Sequence, residues 1–148
     1  MRYRHTQTGP MMLLICVVGL VGAIWVGVTQ PLDTVANVVV EIVFVLLVVV
    51  GLVASRLTVA VDEVSVSSWF GWGWPRRTIA LADVVSTERV SNSWWYGWGV
   101  RKVPGGWMFN TAGYGAIELR LASGTVFRIG TDEPDELLAA IDAARVAR

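Results

Sequence analysis

The sequence predicts an α+β protein: a two-helix transmembrane hairpin, then a seven-strand sandwich or partly open barrel with a C-terminal helix. Three observations predict it. Two long apolar runs, residues 11–28 and 35–54, contain no Lys or Arg. Beyond residue 56 apolar and polar residues alternate in short segments, the period of half-buried strands. Residues 133–146 then return to the spacing of an amphipathic helix.

Composition agrees with the first of these. Only 16 % of the 148 residues are charged and the mean hydropathy is positive, which points to membrane segments. Twelve basic and twelve acidic residues cancel, so the whole chain exerts no bulk pull on nucleic acid. Cys16 is the only cysteine, which excludes a disulfide framework or thiolate metal site within one chain.

Residues 11–28 carry no charge and are long enough to cross a bilayer core, which takes about 20 apolar residues. Arg2 and Arg4 before them also suit a signal peptide, but the run exceeds a typical signal core and a second run follows at once. Residues 35–54 are interrupted only by Glu41, and residues 29–34, with Pro31 and Asp33, form a short connection. Arg2, Arg4 and Arg56 sit at the far ends of the helices and the connection has no basic residue. The positive-inside rule therefore puts both ends in the cytoplasm and the connection outside. The expected layout is a cytoplasmic tail over residues 1–10, a hairpin over 11–56 and a domain over 57–148, in the cell membrane.

Two features of the hairpin are candidates for packing or function. Gly19, Ala23 and Gly27 recur every fourth residue, and Gly51 with Ser55 makes a similar pair; such spacing lets helices approach closely, within the hairpin or between copies. Glu41 is an acid inside an apolar run, which marks a functional candidate. It lies within two turns of the outer end, where snorkelling or pairing with a neighbour competes with any transport role.

In the domain, Leu57, Val59 and Val61 share one face, and Val64 and Val66 continue it beyond an Asp62-Glu63 turn. A Gly-rich aromatic turn over residues 70–75 leads to a third strand at 77–81, and a less regular fourth spans about 84–90. Residues 93–110 read as a long loop with a short strand at 107–109. The pair 116–121 and 125–129 can be read in register. A three-residue Ala122-Ser123-Gly124 loop, with Gly124 left-handed, sets Leu119 opposite Phe127 and Glu118 opposite Arg128. That ion pair is expected to be exposed and worth a few tenths of a kcal/mol at most. Asp132 is the expected cap of the final helix, Pro134 suits its first turn, and Asp135, Glu136, Arg145 and Arg148 complement its dipole. Leu137, Leu138, Ile141 and Ala144 form its apolar stripe.

The ordered set Arg77-Thr78-Ile79-Ala80-Leu81-Ala82-Asp83-Val84, Gly97-Trp98-Gly99-Val100-Arg101, Gly106-Trp107, Ala116-Ile117-Glu118-Leu119-Arg120-Leu121 and Phe127-Arg128-Ile129-Gly130-Thr131-Asp132-Glu133-Pro134 resembles the bacterial pleckstrin-homology-like (PH-like) domains. Small membrane proteins with two helices ahead of such a domain are familiar in that family. The resemblance implies a non-catalytic binding or assembly module. Phosphoinositide-binding relatives carry basic residues around the first hairpin, whereas Asp62-Glu63 here is acidic and would repel such a headgroup.

Catalytic patterns are missing. His5 is the only histidine and falls in the expected tail, so no His-based nucleophile arrangement is expected in the domain, and His or Cys metal sites lack ligands. Asp62-Glu63 reads as a solvated turn and residues 132–136 as helix-start acids rather than a cation site. The glycines at 97–106 match no phosphate-cradling pattern. We expect no enzyme activity, no cofactor and no nucleic-acid partner.

Aromatic residues concentrate in two places. Trp69, Phe70, Trp72 and Trp74 adjoin Arg76 and Arg77; Trp94, Trp95, Tyr96, Trp98, Trp107 and Phe109 surround Arg101 and Lys102. Trp and Tyr favour the membrane interface, and nearby Lys or Arg favour anionic lipid. Three readings follow: the tryptophans cover the end of a small core, they lie on membrane lipid, or they recruit a membrane protein or a second copy of the chain. An accessory subunit of a transporter or membrane enzyme, working through Glu41 and the small residues, is the alternative from a different class.

Overall fold

A computed structural model describes residues 3–29 and 33–147 of the chain. Arg2, Pro31 and Arg148, each given a role above, lie outside the described residues.

The hairpin helices are α1, Pro10–Thr29, and α2, Thr34–Ala54. Both are long and apolar enough to cross a membrane, and almost none of their residues is fully buried. Asp33 caps α2, its side chain accepting from the Ala36 amide at 2.8 Å, which satisfies one of the first-turn donors. Cys16 lies against Gly51, where a Cβ would have no room. By contrast, a Cβ at Gly19 or Gly27 would meet nothing within 4 Å, so neither glycine is pressed against α2. Glu41 is exposed on the outside of α2.

Two sheets accompany the hairpin, and among the described residues they contain nine strands rather than seven. The first runs β1-β2-β3-β4, all antiparallel: β1 Tyr3–Thr8, β2 Arg56–Val61, β3 Ser65–Phe70 and β4 Arg76–Ala80. The second runs β5-β8-β9-β7-β6: β5 Val84–Ser91, β6 Gly99–Val103, β7 Gly106–Asn110, β8 Gly115–Leu121 and β9 Val126–Gly130. In it β9 inserts between β8 and β7, so β7 and β9 run parallel while the other neighbours are antiparallel. The final helix is α3, Pro134–Val146.

Two expectations are corrected by the extra strands. Residues 3–8 are not a free tail: β1 pairs with β2 from Tyr3↔Val61 to Thr8↔Arg56. Polar residues form this strand because backbone hydrogen bonding and polar side-chain contacts hold it in place of an apolar face. Gln7 Nε2 donates to the Ala112 carbonyl at 2.9 Å, and Thr6 meets Thr58 at 2.9 Å on the other side. Residues 93–110 are likewise not one loop. They form a 3₁₀ turn, Trp94–Tyr96, and the β6–β7 hairpin, whose two-residue Pro104-Gly105 turn has Gly105 at φ 82°. Proline presets the first turn position and glycine supplies the positive φ of the second.

The register expected for β8 and β9 is the one observed: Leu119↔Phe127 and Glu118↔Arg128, with Gly124 at φ 80°. The expected exposure of the ion pair is wrong. Side chains of Glu118 and Arg128 are only 5 % and 15 % exposed, because Asn92 and the Tyr96 ring lie against Arg128 on that face of the sheet. Asp132 does not cap α3 either. Glu133 holds the cap position but its side chain makes no capping bond, and Thr131 Oγ1 accepts from the Glu133 amide at 3.0 Å.

Leu57, Val59, Val61, Val66 and Phe70 of the first sheet face Phe109, Ile117, Leu119, Phe127 and Ile129 of the second, and Leu137, Ile141 and Ala144 of α3 complete the same core. Phe109 is the bridge, with its ring centroid 5.1 Å from Phe70 and 5.2 Å from Phe127. Arg145, near the end of α3, donates to the Val84 and Val85 carbonyls at 3.1 and 3.0 Å, fastening the helix to β5.

Candidate functional site

The hairpin joins the domain through short backbone contacts. The Gly9 amide donates to the Ser55 carbonyl at 2.6 Å, and Thr111 Oγ1 donates to the Ala54 carbonyl at 2.6 Å. These bonds satisfy carbonyls that a helix end leaves open. On the other side, Gly71 passes close to the Val53 backbone at φ 44° and its amide donates to the Arg56 carbonyl at 2.9 Å. A side chain at Gly71 would be strained and would press on α2. The β3–β4 loop is therefore wrapped around the end of the helix.

That loop carries Trp72 and Trp74 outward. They are 84 % and 80 % exposed, and Trp94 and Trp95 in the 3₁₀ turn are 66 % and 71 % exposed. None of these four covers the core; that role belongs to Phe70 and Phe109. Trp94 and Trp95 lie against each other with centroids 4.1 Å apart. Trp98 is half-buried and lines, with Trp72 and Trp74, an apolar cleft of about 620 Å³. The opposite wall of the cleft is the hairpin itself, through Met12 of α1 and Val49, Val50 and Val53 of α2. The structure thus brings both aromatic regions together at the base of the hairpin.

The basic residues lie beside them. Arg101 lines the cleft and its Nε donates to the Trp98 carbonyl at 2.8 Å. Arg76, Arg77 and Lys102 line a neighbouring groove between β4 and β6, together with Trp107, over whose ring Lys102 sits at 5.8 Å. Arg76 also stacks over Trp69 at 4.8 Å, with Arg4 over the same ring at 5.6 Å. Behind the 3₁₀ turn, Arg128 donates to Glu118 at 2.7 Å and lies 5.9 Å from the Tyr96 ring. Gly19, Ala23, Gly27 and Glu41 are not part of this surface; Gly51 touches the cleft.

The sequence reading missed one cluster. His5 Nε2 lies 2.7 Å from Asp132 and its Nδ1 lies 3.3 Å from Glu133, while the Tyr3 hydroxyl donates to Glu133 at 3.2 Å. Burial and the Glu133 carboxylate push the Tyr3 phenol well above its usual range, so it stays a neutral donor. Both imidazole nitrogens face carboxylates, which leaves neither to take a proton from a nucleophile. The cluster clasps β1 to the start of α3. Only recognising residues 3–8 as a strand could have revealed it. At the far turn, the Val64 and Ser65 amides hold the Asp62 carboxyl below its usual range, consistent with a tight acidic turn.

Fold and site define a class: a two-helix apolar hairpin set into the first sheet of a two-sheet domain, with an aromatic and basic surface at the junction. No family model, curated protein or solved structure matches the chain.

Proposed function

We propose that the chain is a membrane-anchored, non-enzymatic binding and assembly module. Its hairpin spans the membrane, and a PH-like domain on the cytoplasmic face uses the aromatic loops to engage the lipid interface. The observation that carries this reading is the junction: exposed Trp72 and Trp74, with Trp98, form one wall of a cleft whose other wall is the hairpin. Indole rings beside arginine favour the headgroup level of a bilayer.

The β1–β2 pairing supports the orientation. Thr8 and Arg56, which flank the hairpin, are partners in one sheet, so both ends of the hairpin emerge on one side. Arg4 and Arg56 on that side favour the cytoplasm. The same pairing weighs against a cleaved signal peptide, since cleavage would remove an edge strand.

The test replaces Trp72, Trp74 and Trp98, the tryptophans of the cleft, by Ser in the full chain and measures tryptophan quenching by bromolipid in vesicles. Quenching is expected to fall by about a third, with the sheet circular dichroism unchanged, because three of the eight tryptophans are removed while Trp25 stays within the apolar span of α1. Unchanged quenching in the folded variant would overturn the lipid-interface reading.

One observation favours a second reading, an accessory subunit in a transporter or membrane enzyme complex. Glu41 lies exposed on the apolar outer face of α2, where an acid is costly without a partner. A stoichiometric larger protein retained on gentle purification, and lost with Glu41→Leu, would establish that reading; an unaccompanied chain would remove it.

A further inference from the structure

Two surface depressions meet at Val100. The first is the apolar cleft at the hairpin, of about 620 Å³, where Arg101 is the one charged lining residue among those described. The second, of about 860 Å³, lies between the edges β4 and β6 and is lined by Arg76, Arg77 and Lys102. Among the described residues no acidic side chain lines either one. Val100 belongs to both, and Pro75 in the first is followed directly by Arg76 in the second. The combined site is therefore amphipathic along its length. Its apolar end continues the hairpin surface, and its far end carries uncompensated positive charge.

The geometry points to a specific site for one anionic phospholipid, with an acyl chain in the cleft against the hairpin and the phosphate at Arg76, Arg77 and Lys102. This rests on the lipid-interface reading above and adds to it a single bound molecule and a charge requirement. Each part of the site excludes another class of ligand. A free phosphate would leave the apolar cleft unfilled, and a zwitterionic lipid would gain little from three cations. The site is remote in kind from the β2–β3 turn, where Asp62 and Glu63 would repel an anion. Clefts of this volume suit one small ligand rather than a bulk lipid annulus.

The full chain in zwitterionic detergent would be offered equal amounts of palmitoyl-oleoyl phosphatidylglycerol and phosphatidylcholine, and retained lipids counted by native mass spectrometry. One phosphatidylglycerol per chain is expected, in clear preference. The variant Arg76→Gln/Arg77→Gln/Lys102→Gln should lower that preference on the order of 100-fold at low salt, from three cations near a lipid phosphate. Val100→Trp, which blocks the neck and keeps every cation, should lose the lipid as well.

Equal retention of the two lipids, or undiminished retention by Val100→Trp, overturns the site. Diazirine-labelled phosphatidylglycerol on the unmodified chain gives an independent readout that needs no variant to fold. Label on Val50, Val53, Trp72 or Trp98 supports the site, and label spread around the outer faces of α1 and α2 overturns it. Bromolipid quenching separates the two readings. Quenched tryptophans without selective retention leave the loops at the interface and overturn the bound lipid. A retained lipid with quenching confined to Trp25 of α1 overturns the interface reading and leaves the site standing.

Discussion

Phe109→Ala is expected to lower the stability of the domain by about 4 kcal/mol, the range for removing a fully packed phenylalanine. Phe109 is 6 % exposed and its ring touches Phe70 of the first sheet and Phe127 of the second. Removing it leaves a cavity where the two sheets meet, and neither neighbour can close it without moving a strand. Trp107→Ala, two residues away on the same strand but half exposed, should cost less than about 1 kcal/mol, as surface changes usually do. Denaturation in mild detergent, followed by sheet circular dichroism, compares them. If the two variants lose the same stability, Phe109 is not the bridge between the sheets.

The second large effect concerns the buried ion pair. Arg128→Met should cost about 3 kcal/mol, because it strands a carboxylate that is 5 % exposed without its closest cation. Arg120 still reaches Glu118 at 3.2 Å, but its own side chain is 61 % exposed, so it compensates only in part. The double variant Glu118→Gln/Arg128→Met removes the stranded charge and is expected to recover a substantial share of the loss. A double variant no more stable than Arg128→Met would show that the cost came from packing rather than charge. Arg128 also contacts Asn92 at 3.4 Å and lies near the Tyr96 ring, so the single variant should shift the emission of Trp94 and Trp95.

Which parts of the molecule were legible followed from what holds each part in place. The hairpin helices could be read because lipid-length apolar runs have few other uses. The β8–β9 register could be read because Gly124 allows one loop that keeps Leu119 and Phe127 on the same face. Strand β1 was hidden: Tyr3, His5 and Gln7 hold it through hydrogen bonds to Glu133, Asp132 and Ala112, and polar contacts of this kind leave no hydrophobic period. Strand β6 was hidden by Gly97, Gly99 and Gly105, whose positive φ angles shape the turns around it. Asp132 has the right side chain for a helix cap, but His5, far away in sequence, takes it instead.

The candidate surface was legible as a composition and not as a place. Seven of the eight tryptophans and their basic neighbours were plain in the sequence as two clusters, yet Phe70 and Trp72 are equally apolar to the eye. Their separation into core and surface depends on Gly71 bending the chain around Val53. Joining the two aromatic regions into one wall required the relative placement of β3, β4 and β6, which no local pattern encodes.

The pairing of β1 with β2 has a consequence for how the protein matures. Strand β1 leaves the ribosome before its partner, which emerges only after both helices, so the first sheet waits for the hairpin to be made. The polar edge of β2 stays unpaired until residues 9–55 have been threaded into place and returned. Completion of the sheet therefore depends on the hairpin: a chain whose hairpin goes astray also exposes an open strand edge. A fragment beginning at residue 57 would carry that open edge permanently.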